Sequence, residues 1–158
     1  MMRDLLRLPD EVSHELRDFA NHAAGLLRRE LLPTRPPQNG IIQADGVTGV
    51  VTYRDGQFQI ELVIVAPMIA IPAHAHPDVE SIEMGFSGGI DLFVEQEQRA
   101  FARDPRADGT SRNLGRCVYV PAGAMHSGFA NETGATFLSI QRWLSGVSPG
   151  FIRENWRE

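Results

Sequence analysis

Four side chains in two separated segments have the types and spacing to hold one metal ion. His74 and His76 stand two apart in His74-Ala75-His76-Pro77-Asp78-Val79-Glu80, and His126 comes later, behind Pro121-Ala122-Gly123. Two imidazoles, the Glu80 carboxylate and a third imidazole form a donor set suited to a divalent transition metal. On a strand, alternate residues share a face, so the first two imidazoles would lie roughly 6–7 Å apart along the chain. They converge on one ion where that strand faces an enclosed space. Pro77-Asp78 turns the chain, so Glu80 can open the next strand and return its carboxylate to the same ion. The Pro-Ala-Gly turn would aim His126 inward from another part of the wall. Three or four protein ligands leave coordination positions open, which separates a working site from a structural one.

The elements that must position these groups are mostly strands. Val47 to Arg54 and Gln57 to Met68 are rich in β-branched and aromatic residues and flank Asp55-Gly56, a strong hairpin signal. Gln57, Gln59 and Glu61 alternate with Phe58, Ile60 and Leu62, so that strand should have one polar and one apolar face. Further short strands are expected around His74–His76, Ser81–Met84, Ile90–Val94, Arg116–Val120, His126–Asn131 and Ala135–Trp143. Asp104–Asn113 reads as an exposed loop. This pattern predicts a sandwich or closed barrel.

Ahead of it, residues 10 to 32 have helical periodicity. Val12, Leu16, Phe19, Ala20, Ala23, Leu27 and Leu31 recur at three- and four-residue steps. Pro9-Asp10 is a start signal and Pro33 a stop. His14 and His22, on this helix, read as ordinary surface or packing residues. Residues 1–39 are thus a helix and linker, with a Pro/Gly-rich connector at 34–40. Residues 40–145 form the β body, and 146–158 a capping tail with Phe151 and Trp156 packed on the body or a partner.

Composition narrows the function. The 158 residues suffice for one domain with a sizeable core. A formal net charge of −5 argues against a nucleic-acid binder, which needs a basic patch. No stretch approaches the ~18 apolar residues of a membrane span, and the first residues do not read as a signal peptide. The single cysteine, Cys117, excludes an intrachain disulfide and reads as a buried small hydrophobe in the run Cys117-Val118-Tyr119-Val120. A soluble cytoplasmic protein is expected.

The two segments resemble the motifs of the cupin superfamily. The first family motif is Gly, five residues, His-x-His, three or four residues, Glu, six residues, Gly. Here His74, His76 and Glu80 match; Met68 stands at the leading glycine, and Ser87 at the closing one with Gly88 following. The second motif is Gly, five residues, Pro-x-Gly, two residues, His, three residues, Asn. Gly115, Pro121, Gly123 and His126 match, and Asn131 comes one residue late. The resemblance covers roughly residues 40–145. It implies an all-β fold, the RmlC-like double-stranded β-helix or jelly roll, here with an N-terminal amphipathic helix. It also implies one metal held by His74, His76, Glu80 and His126.

Fold likeness does not assign a reaction. Neutral imidazoles with one carboxylate suit Fe(II), so the leading expectation is a non-heme metal dioxygenase or other oxidoreductase acting on a small chelating molecule. A lyase or isomerase using manganese, nickel or zinc as Lewis acid is the alternative, and a non-catalytic ligand-binding cupin a third. Glu61, Glu83, Tyr53 and Gln141 are candidates to contact ligands or substrate. Glu83, at odd spacing from Glu80, is expected on a solvated strand face. The amphipathic helix and aromatic tail suggest a homodimer.

Overall fold

The computed structural model describes residues 8–29, 31, 42–95, 97–100 and 117–148. The connector 34–40, the loop 104–113 and the tail residues Phe151 and Trp156 lie outside these. One helix precedes a β body. Helix α1 spans His14–Arg28, followed by β1 (Ile42–Ala44), β2 (Val47–Asp55), β3 (Phe58–Val65), β4 (Ala70–His74), β5 (Val79–Val94), β6 (Glu97–Ala100), β7 (Cys117–Val120) and β8 (His126–Trp143).

The helix starts at Ser13 rather than at Pro9-Asp10. The Ser13 hydroxyl accepts from the Leu16 amide at 3.2 Å, satisfying one of the first-turn N–H groups. Residues before it form a turn closed by Val12 N–H donating to the Pro9 carbonyl. Leu16, Phe19, Ala20, Ala23, Ala24 and Leu27 make one buried stripe. That stripe packs on Val50, Ile60, Leu62, Ile82, Met84, Leu138 and Ile140 in a single apolar cluster. Each fully buried Leu or Ile there contributes roughly 1.5–3 kcal/mol. His14 is exposed, 3.4 Å from Asp18, and His22 joins the rings of Phe19 and Tyr53, as surface and packing residues do.

All pairings are antiparallel, in the order β1-β2-β3-β8-β5-β6, with β4 added to β8 and β7 to β5. The Asp55-Gly56 hairpin forms as read, with Asp55 opposite Phe58 and Gly56 at φ 56°. Two pairs of expected short strands merge. Ser81–Met84 and Ile90–Val94 belong to one 16-residue strand, β5, and His126–Asn131 and Ala135–Trp143 to one 18-residue strand, β8. Glycine bends these strands instead of ending them. Register shifts fall between Gly85 and Ser87 and between Gly88 and Ile90, where β5 lies against β8. Gly88 (φ 72°) and Gly134 (φ 71°) meet at this corner, and a Cβ on Gly88 would collide with the Gly134 carbonyl oxygen.

The bend gives β5 and β8 two roles. Their Val79–Gly85 and Phe137–Trp143 halves pair with each other beside β3 and β7, under the helix. Their Ile90–Val94 and His126–Ala130 halves pair beside β4 and β6. The two layers fold over one interior, the jelly-roll arrangement, and the sheet does not close into a continuous barrel. Met68, at the position of the family's leading glycine, adopts φ 61°, so the left-handed turn persists without the glycine.

Gly88→Ala combines a left-handed φ with backbone collision. It should lower stability by about 2 kcal/mol or more in urea unfolding. An unchanged midpoint would mean the corner does not need this close approach.

Candidate metal centre and the cavity around it

His74 ends β4 and pairs with His126, the first residue of β8. His76 follows just after β4, and its carbonyl accepts from the Gly123 amide at 2.9 Å. Gly123 (φ 78°) sits in the Pro121–Ala124 turn, closed by Ala124 N–H donating to the Pro121 carbonyl. The turn of the second motif is therefore tied to the first, and this tie brings the third imidazole beside the other two. Ring centroids are 4.2 Å apart for His74–His126, 4.9 Å for His74–His76 and 5.3 Å for His76–His126. One ligand nitrogen from each lies within 4.8 Å of those of the other two.

The protonation state suits a metal. His74 Nδ1 is 2.7 Å from the Pro72 carbonyl and His126 Nδ1 is 2.9 Å from the Ala124 carbonyl. A carbonyl only accepts, so each Nδ1 carries the proton and each Nε2 keeps its lone pair, the usual way a ligating histidine is oriented. Burial lowers the pKa of His74, against the bond to Pro72. Burial and the neighbouring His74 push His126 down to about 4. Both are neutral ligands at neutral pH. The donor set fits one divalent transition metal: three imidazoles hold it and leave positions open.

Glu80 is not with them. Its carboxylate accepts from the Ser13 hydroxyl, from Tyr119 OH at 2.8 Å and from Arg142 Nη1 at 3.1 Å, on the face of β5 that meets the helix. Burial, the bond to Glu80 and the negative charge nearby raise the Tyr119 pKa, so this phenol stays a donor. The expected four-ligand set is corrected to three imidazoles, for a reason of parity. Side chains alternate across a strand, and Ile82 and Met84, the alternate partners of Glu80, lie in the cluster beneath the helix. Three residues between His76 and Glu80 therefore put the carboxylate on the outer face.

Glu83, at odd spacing from Glu80, faces the interior instead. It is 7% exposed, against the solvated position expected for it. It lines a cavity of about 80 Å³ together with Glu61, Ser139 and the three imidazoles. Val63, Ile71, Leu92, Val94, Val120 and Phe137 supply apolar wall. The polar face of β3 is thus an inner face, and its apolar face is covered by the helix. Gln141 supports the cavity by donating from Nε2 to Ser139 Oγ at 3.0 Å and towards Glu61 Oε2 at 3.5 Å. Tyr53 packs against Phe19 under the helix and takes no part. Cys117 is half-buried against that same cluster, with burial pushing its thiol up to about 12, so it is no nucleophile.

Burial dominates the cavity's electrostatics. It raises Glu61 to about 7, opposed by the Gln141 hydrogen bond and aided by the charge of Glu83. It raises Glu83 to about 7, opposed by hydrogen bonds from Ser81 (2.8 Å) and Ser139 (3.0 Å). Two carboxyls raised by burial to about 7 share a cavity with three imidazoles, two of them held neutral by burial, a pattern common where proton transfer occurs.

No family model and no curated protein matches the sequence. Solved structures do match in fold. KdgF from Halomonas sp. superposes with a TM-score of 0.54 at 14% identity, over 65% of this chain and 84% of that one. The cupin domain of Cnp3 from Schizosaccharomyces pombe gives 0.54 at 12%, over 68% and 70%. An RmlC-like cupin from Shewanella frigidimarina gives 0.53 at 13%, over 66% and 84%. The chain has the cupin fold, with a histidine triad placed for a metal ion. Among the described residues no helix is long and apolar enough to cross a membrane.

Two predictions follow from this geometry. His76→Ala should remove most bound metal, whereas Glu80→Ala should keep the metal and lose roughly 3 kcal/mol of stability by leaving Arg142 unpaired. Metal analysis with urea unfolding of both variants checks this, and metal loss in Glu80→Ala would restore Glu80 as a ligand.

The second prediction concerns pH. Burial lets Glu83 keep its proton to about pH 7 when folded, against 4.5 for an ordinary glutamate. Between these values the unfolded chain binds fewer protons, so this group's contribution falls as pH rises. His74 and His126, lowered by burial, act oppositely on the acid side. Comparing Glu83→Gln with wild type isolates the carboxyl. From about pH 5 to about pH 8 the variant should gain roughly 2–3 kcal/mol relative to wild type. A pH-independent difference would show that Glu83 is not a buried acid.

Proposed function

We propose that this protein is a metal-dependent cupin enzyme acting on a small organic molecule by proton transfer, as a lyase or isomerase does. The observation that carries this is the cavity itself, where three converging imidazoles face the same space as two buried carboxyls. His74, His76 and His126 would hold the metal, which when bound supplies a Lewis acid to polarise a substrate oxygen. Glu61 and Glu83 supply groups able to hold or release a proton near neutral pH. The apolar wall accommodates a carbon skeleton and limits water, which strengthens every electrostatic interaction inside.

An iron dioxygenase is the second reading. Three imidazoles also suit iron and leave positions for other ligands. The carboxylate that favoured this reading is Glu80, which is engaged with Ser13, Tyr119 and Arg142.

The deciding experiment is elemental analysis of untagged protein purified without added metal, followed by oxygen-electrode measurements with catechol and pentane-2,4-dione. Zinc, manganese or nickel at about one equivalent without oxygen uptake is expected for three ligating imidazoles. Iron with substrate-dependent oxygen uptake would favour the dioxygenase. No metal after reconstitution would overturn both.

A further inference from the structure

The inner face of the three central strands carries a polar array that metal binding does not use. Across β3, β8 and β5, Glu61, Ser139 and Glu83 stand in one row, and Gln59, Gln141 and Ser81 in the next. All six are buried. Six adjacent polar side chains are an unusual interior for a domain of this size, where apolar residues would pack without polar desolvation.

The sense of the hydrogen bonds can be read from one end. Trp143 Nε1 only donates, and it lies 3.2 Å from Gln141 Oε1. Gln141 must then present Nε2 to Ser139 Oγ and Glu61 Oε2. Gln59 must present Nε2 to the same Gln141 Oε1, at 3.2 Å. Ser139 and Ser81 both donate to Glu83 Oε1. Two buried atoms of the array are left without a partner: Gln59 Oε1, an acceptor, and Glu83 Oε2, an acceptor when ionised and a donor when protonated. Leaving a buried acceptor unmatched costs about 1–3 kcal/mol, more when it is charged. Glu83 lines the cavity and carries one of these two unmatched atoms.

We propose that this array is the substrate-recognition surface of the cavity, where Glu83 Oε2 binds a hydroxyl of a small hydroxylated substrate and exchanges a proton with it. This rests on reading the cavity as an active site. At this end of the cavity a carboxylate or phosphate group would meet two acidic side chains and no cationic side chain. An ammonium would suit only the ionised form of Glu83. A hydroxyl suits both forms, since it donates to the carboxylate and accepts from the acid. In the forward direction the substrate O–H bond breaks, its proton goes to Glu83 Oε2 and the electron pair stays on the substrate oxygen; the reverse returns the proton.

Both forms of Glu83 are accessible near neutrality because burial raises it to about 7. The titratable groups sharing its cavity are Glu61 on β3, His74 and His76 at the end of β4, and His126 on β8; β2 and β7 contribute only Val47, Gly49 and Val120. Glu61 is fixed in place in the same row as Glu83. Gln141 holds it, and it lies so close over Gly49 that a Cβ there would collide with its Oε1.

The test uses the full chain, chelator-treated to remove metal and labelled with 13C-glutamate, followed by difference infrared spectroscopy. Glycerol is the probe and acetate the control. Near pH 7, glycerol should displace the labelled protonated-carboxyl band, and acetate should not. The glycerol effect should be lost in Glu83→Gln and kept in Glu80→Gln, whose side chain lies on the opposite face of β5. A wild-type carboxyl band indifferent to glycerol, an equal response to acetate, or a response retained in Glu83→Gln would each overturn the proposal. Working without metal keeps the outcome independent of whether the histidines bind one. The wild-type comparison decides the matter even where a variant fails to fold.

Discussion

Everything in this molecule depends on the two-sidedness of three adjacent strands. β3, the second half of β8 and the first half of β5 are buried on both faces, but the two faces have opposite chemistry. Ile60, Leu62, Ile82, Met84, Leu138 and Ile140 point one way and are covered by the helix. Gln59, Glu61, Ser81, Glu83, Ser139 and Gln141 point the other way, into the interior. Because the side-chain period is two, a one-residue slip would exchange these sets and place six polar groups beneath an apolar helix. The register is therefore strongly specified, and the glycine corner at Gly88 and Gly134 carries it from one layer to the other.

The same parity assigns the acids their work. Glu80 and Glu83 lie three apart on one strand and so face opposite ways. Glu80 joins Ser13, the first-turn cap of the helix, to Arg142 and Tyr119 on the sheet. A helix with a mixed polar face has no charge-based reason to sit in one orientation, and this buried carboxylate supplies one at its N-terminus. Glu83 is left to the cavity. One strand thus provides both the anchor that seats the helix and the acid that faces the interior.

Much of this was legible in the residues. Asp55-Gly56 announced its hairpin, the spacing of Leu16, Ala20, Ala23 and Leu27 announced a helix, and the histidine pair with a distant third announced a cluster. The fold class followed from the two motifs. What the one-dimensional pattern did not carry was which face looks inward. Gln59 and Glu61 read as the polar face of a two-sided strand, and Glu83 as solvated, because polar alternation normally marks solvent. Here the helix takes the outer face, so the polar residues turn in. The assignment of Glu80 failed for the same reason, since a motif spacing specifies distance along the chain but a strand specifies side. The continuity of β5 and β8 was hidden as well, because Gly85, Gly88 and Gly134 look like breaks until their partners across the corner are known.

The interior has two electrostatic ends, and burial acts on them in opposite senses. Desolvation drives His74 and His126 towards the neutral form by lowering their pKa values, and drives Glu61 and Glu83 towards the neutral form by raising theirs. Were imidazole and carboxyl in direct contact, each would hold the other charged, and neither a neutral ligand nor a neutral acid would persist. The pKa shifts of the two acids arise instead from burial, hydrogen bonds and, for Glu61, the charge of Glu83, and that of His126 from burial and its neighbour His74. Burial thus divides one small space between His74 and His126, which keep their lone pairs, and Glu61 and Glu83, which keep transferable protons. That division, more than the presence of any single ligand, is what makes the cavity suited to chemistry on a molecule that spans it.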